Sequence, residues 1–203
     1  MVLRSPRMLV PFFFIPAGLG LIVRAASSAT LAEQLLALAL ALFCPELARM
    51  ALVDLDNIAA FSHQQDAGQP VTETESHKLI DRFFKVTVST IVLEATGFYT
   101  ALISLQWGAI AIILSQLWFN LLAGIALQPN LLSDPSSGES RSIEMRKMGI
   151  QERGAVLIAN AIGLALLSLW FLQETRIWLA SGLLILVLLF LVIKYAIVSP
   201  RSR

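Results

Sequence analysis

Residues 83–127 read FFKVTVSTIVLEATGFYTALISLQWGAIAIILSQLWFNLLAGIAL, and the fold turns on how this stretch is read. It carries only two charges, Lys85 and Glu94. A helix needs about 20 predominantly apolar residues to cross the hydrocarbon of a bilayer. The stretch is too long for one crossing and long enough for two, and its polar pair Gln106-Trp107 divides it into spans at 83–105 and 108–127.

Working outward, four more apolar runs come close to or reach the required length. The first, 8–23, is short and contains Pro11 and Pro16; the second, 29–44, is followed by Pro45 and Glu46. The last two cover 154–172 and 177–198. Gaps at 24–28, 106–107 and 173–176 are short enough for tight turns between antiparallel helices. The remaining connections, 45–82 and 128–153, are long and polar. The expected architecture is an all-α polytopic membrane bundle, one transmembrane domain of six spans arranged as three helical hairpins.

Composition agrees with the pattern. The 203 residues are 57% hydrophobic and 14% charged, with mean hydropathy +0.74. Soluble domains are nearer 45–50% apolar and about 25% charged. A formal net charge of +1 provides no electrostatic footprint for nucleic acid. Cys44 is the single cysteine, so no internal disulfide and no CxxC motif can form. Within its apolar run it reads as a small hydrophobe.

The basic residues give an orientation. With six spans and a cytoplasmic N-terminus, 13 of the 15 Lys and Arg fall on the cytoplasmic side. These lie before the first span, in the two long connections, after the last span and, for Lys85 and Lys194, at the cytoplasmic ends of the third and sixth spans; only Arg24 and Arg176 fall opposite. That asymmetry is the positive-inside pattern, and it places both termini in the cytoplasm of a bacterial-type plasma (inner) membrane or its thylakoid equivalent. A rival reading takes the first segment as a secretory signal cleaved after Ala29, leaving five spans.

The long connections have patterns of their own. In the first, Leu47, Met50, Ala51, Leu55, Ile58 and Phe61 recur near helical spacing. They predict an amphipathic juxtamembrane helix, either at the membrane surface or continuing the second span with a kink at Pro45. Gly68 and Pro70 interrupt it, and Thr72-Glu73-Thr74-Glu75 makes a capping-box start for a helix running into the third span. In the second connection a turn-rich stretch from Pro129 precedes a basic helix expected from Ser142.

Glu94 is the principal candidate for chemistry. It falls midway along the third span, where an ionisable side chain costs at least about 2.5 kcal/mol. Thr87, Thr90, Glu94, Gly97, Ala101 and Ser104 are spaced 3 and 4 apart. They form the small, hydroxylated stripe found where membrane helices approach closely, so Glu94 faces protein. Gln116 and Asn120 lie on one face of the fourth span, and Asn160 in the fifth. Two roles compete for Glu94. In one it is a proton or cation site with Gln116 and Asn120 as partners. In the other it is a protonated, hydrogen-bonded link to Gln116 or Thr90 that joins helices. The second is preferred, because proton relays place several ionisable groups along a path and here there is one.

Other polar residues have plainer readings. Glu46 and Arg49 are one helical turn apart and are expected to form an interfacial ion pair at the cytoplasmic edge. His63 and His77 match no metal-ligand spacing. Trp107, Trp170, Trp178 and Tyr99 fall towards the non-cytoplasmic span ends as an aromatic belt, while the deeper Trp118 is expected to pack internally. No GxSxG, HExxH or P-loop is present, and no cofactor, metal or catalytic residue is expected. The expected function is a non-enzymatic accessory or assembly subunit of a respiratory or photosynthetic type of membrane complex. Its partners would be lipid and other membrane subunits or further copies of itself. The alternatives are a small-solute or ion transporter working through Glu94 and, behind it, a lipid-acting enzyme.

Overall fold

In the computed structural model the described residues are 5–66, 73–126, 150–171, 176–193 and 195. They form six helices: α1 (Ser5–Ser27), α2 (Leu31–Asp66), α3 (Glu73–Ile103), α4 (Leu105–Ala126), α5 (Ile150–Trp170) and α6 (Arg176–Val192). Four contain stretches long and apolar enough to cross a membrane: Arg7–Ser27, Leu31–Ala59, Asp81–Ile103 and Leu105–Leu122. The apolar parts of the other two are shorter, Leu157–Trp170 and Arg176–Val192. The chain is therefore all-helical and compatible with membrane integration.

α2 is the hub, packing against α1, α3, α4 and α6. α1 runs back along α2: the Cys44 thiol donates to the Phe14 carbonyl at 3.3 Å, while Arg7 pairs with Asp56 further along. α3 and α4 likewise pair in opposite directions. Gly97 lies against Ile112, and Gly108 against Ala101. The reason is steric, since a Cβ on Gly97 would stand 3.0 Å from the Ile112 backbone nitrogen, and one on Gly108 would overlap the Ala101 backbone. Small residues thus let these two helices touch along their main chains. Phe14 and Phe98 close the gap between α1 and α3 edge-to-face, their ring centroids 5.6 Å apart.

The junctions follow from local hydrogen bonding. After α1, the Ser28 hydroxyl donates to the Arg24 carbonyl at 2.8 Å and ends the helix. Thr30 then caps α2, accepting from the Glu33 amide at 3.3 Å. Thr30 and Glu33 have the residue types and spacing of a capping box. The turn between α3 and α4 is a single non-helical residue, Ser104. Gln106 and Trp107, expected to form it, belong to α4. The chain turns earlier because Gly108 can press directly onto Ala101. Arg24 donates across from the end of α1 to the Leu102 carbonyl, one of the four that a helix C-terminus leaves without intrahelical partners.

Residues 45–66 decide between the two readings of the first long connection. The helix does not stop or lie flat after Cys44; it continues through Pro45 to Asp66. Leu47, Ala51, Leu55 and Ile58, one stripe of the expected amphipathic helix, are buried within the bundle. Of the surface and continuation readings, the continuation is the one seen. His63 and His77 fall within α2 and α3. The basic helix expected over 142–149 and the end of the sixth span at 196–198 lie outside the described residues.

Candidate functional site

Burial separates the polar residues of α3 and α4 into those that face protein and those that do not. Thr87, Thr90, Glu94, Gly97 and Ala101 are all buried, so the 3-and-4-spaced stripe is an interior face. Glu94 is 3% exposed. Its Oε1 accepts from Gln116 Nε2 on α4, one turn from the Gly97–Ile112 contact that brings the helices together. The close approach of small residues and the polar link are therefore neighbouring parts of one interface.

The other expected partners point elsewhere. Asn120 Nδ2 donates to the Gln116 main-chain carbonyl at 2.7 Å, which steadies the turn of α4 carrying Gln116 without reaching Glu94. Thr90 donates to the Val86 carbonyl of its own helix at 2.8 Å. Glu94 and Gln116 are thus brought together, while Asn120 and Thr90 are adjacent supports. Among the described residues, no group of three or more His, Cys, Asp or Glu could hold a metal ion.

Gln116 also opens onto a cavity of about 80 Å³ between α2, α4, α5 and α6. Its walls are apolar except for Gln116 and Asn160. Asn160 lies in the fifth span, and its convergence with Gln116 depends on α4 packing against α5. Nothing in residue spacing could have revealed it.

No family model, curated protein or solved structure matches this chain. What it does must be argued from its own geometry.

The expected Glu46–Arg49 pair is present and larger than expected. Arg49 donates to both carboxylate oxygens of Glu46, Nη2 to Oε1 at 2.9 Å and Nε to Oε2 at 3.2 Å. Tyr195, beyond the end of α6, donates its hydroxyl to Glu46 Oε2 at 2.5 Å. The Arg49 guanidinium also stands 5.7 Å from the centroid of the Tyr195 ring. Glu46 is buried and Arg49 half-exposed, and the cluster fastens the chain at Tyr195, just past α6, to the middle of α2. Tyr195 was invisible to sequence reasoning because it lies 149 residues from its partner.

Two tryptophans are placed differently from expectation. Trp118 is 47% exposed and faces outward, not inward. Trp170, assigned to the aromatic belt, is 1% exposed and lies in the core with the Arg176 guanidinium 6.0 Å from its ring centroid. Trp107, Trp178 and Tyr99 are exposed. Depth and facing are independent on a helix, and a tryptophan is tolerated on either side of a lipid-facing surface.

Proposed function

We propose that this chain is a non-enzymatic integral membrane subunit, an accessory or assembly component of a larger respiratory or photosynthetic type of complex. In this reading all six helices cross the membrane as three hairpins, with both termini cytoplasmic. α1 is a retained span, a reading supported by the burial of Val10, Phe14, Ala17 and Leu21 and by the Arg24 bond to α3. The observation that carries the proposal is the disposition of Glu94. Its carboxyl meets the side chain of the adjacent helix, whereas Thr90 and Asn120 donate to the main chain. That arrangement supports a helix-joining role and, among the described residues, gathers no shell of oxygen ligands around the carboxylate. Exposed Phe12, Ile15, Leu19 and Val23 on α1, with Ile185 and Leu189 on α6, offer apolar faces to lipid or to other subunits.

A second reading, a small-solute or ion transporter, is favoured by one feature: the cavity that adjoins Gln116 and hence Glu94. One experiment separates the two. Glu94→Gln is introduced in the native membrane, and mild-detergent native gels and a flux assay are run on the same preparation. The subunit reading expects a stoichiometric larger assembly, unchanged by the substitution, and no flux attributable to the purified chain. Proton-coupled uptake by the wild-type chain alone in liposomes, lost in Glu94→Gln, would establish the transporter instead.

A further inference from the structure

The cavity beside Gln116 combines three properties that together define a ligand. Its walls are apolar, with Ile112, Leu167 and Leu183 among them. It lies close beneath the outer surface of the bundle, from which the half-buried Phe43 and Phe190 rings of α2 and α6, packed edge-to-face with centroids 5.9 Å apart, separate it. Its two polar side chains are not equivalent. Gln116 Nε2 is committed to Glu94, but Asn160 Nδ2, on a residue 8% exposed, has no hydrogen-bond partner among the described residues. A buried N–H without an acceptor is costly, and the cost is removed by any molecule that supplies one.

Size narrows the choice. An apolar cavity of about 150 Å³ accommodates benzene, so 80 Å³ is narrow for a ring and suits an unbranched chain. We propose that this cavity receives the carboxyl end of one fatty acid from the bilayer, with the carbonyl oxygen accepting from Asn160 Nδ2. The chain lies against the apolar walls and leaves between α2 and α6, where the Phe43 and Phe190 rings part to admit it. The proposal goes beyond the subunit reading and does not depend on it, since it concerns occupancy and not assembly or flux.

The test uses the full chain in phosphatidylcholine vesicles with trace photoreactive probes. Each probe carries the same sixteen-carbon chain with a diazirine three carbons from one end, the carbonyl end where there is one, as an alkane, a methyl ester or a free fatty acid. Labelled residues are mapped by peptide mass spectrometry. The ester is expected to label the cavity-lining segments about tenfold more than the alkane, the ratio for one hydrogen bond of about 1.4 kcal/mol. Asn160→Leu should reduce that ratio to about one while leaving alkane labelling unchanged. Equal labelling by ester and alkane in the wild type overturns the proposal, as does a preference that survives Asn160→Leu. Labelling confined to outward-facing residues such as Trp118 overturns it too. If Asn160→Leu fails to accumulate, the wild-type ratio at the lining segments decides alone.

Discussion

The bond between Glu94 and Gln116 can be weighed by a double-mutant cycle. Glu94→Met and Gln116→Met remove one partner each with little change in side-chain length, and the double variant removes both. Glu94 and Gln116 are 3% and 5% exposed, so water cannot replace a lost partner. Each single change strands a buried polar group, at a cost of about 1–3 kcal/mol. The double change strands neither and should be close to neutral. Hydrogen bonds between membrane helices average about 0.6 kcal/mol and reach about 1.7. Full burial and the neighbouring backbone contact at Gly97 place this one near the top; with each single change at about 1 kcal/mol, the low end of its range, and a near-neutral double change, we expect a coupling of about 2 kcal/mol. The assay is reversible unfolding in mixed micelles titrated with a denaturing detergent, followed by circular dichroism. Single effects that add to within about 0.3–0.5 kcal/mol, the behaviour of independent sites, would refute the view that these residues join α3 to α4.

Three further outcomes follow from packing and exposure. Gly108→Ala should destabilise by about 1–3 kcal/mol, the cost of overpacking, because its Cβ would overlap the Ala101 backbone. Gly18→Ala, whose Cβ would sit 3.5 Å from the Cys44 sulfur, should be neutral or stabilising by up to about 1 kcal/mol; the unfolding titration ranks the pair. Tyr195→Phe removes a hydrogen bond to a carboxylate and should cost about 1.5–3 kcal/mol, seen as faster proteolysis beyond Val192 with the rest of the chain still protected. In single-tryptophan variants reconstituted with brominated phospholipids, Trp118 should be quenched strongly and Trp170 scarcely at all, and equal quenching of the two would contradict their placement.

The helices were legible because long apolar runs have few other uses, and the interior face of α3 because its small residues keep a 3-and-4 spacing. Their limits were less so. Pro45-Glu46 resembles a stop, since proline removes a helix hydrogen bond and a carboxylate is expensive among apolar neighbours. α2 continues because Arg49 and Tyr195 both bond to Glu46, and one of them comes from the far end of the chain. The Ser104 turn was misplaced for a related reason. Gln106 and Trp107 look like a polar boundary, yet what sets the turn is how closely Gly108 meets Ala101. Of the site, Glu94 and Gln116 could be paired from their depths, whereas the choice among Gln116, Asn120 and Thr90 required side-chain geometry. The cavity and its unpartnered Asn160 arise from packing among four helices, which no single run of residues encodes.

The uninterrupted course of α2 also sets a distance. At 1.5 Å per residue, the 36 residues of Leu31–Asp66 span about 54 Å. A bilayer is about 30 Å thick in hydrocarbon and about 40–45 Å with its headgroups. A helix crossing near the membrane normal must therefore carry its Asp66 end roughly 10 Å clear of the headgroups, as a strut of fixed length. In the proposed orientation that end is cytoplasmic, and it brings His63, Gln64, Gln65 and Asp66 with it. Any partner gripping that tip would be held at a set height above the membrane, and shortening α2 by whole turns would lower it in steps of about 5.4 Å.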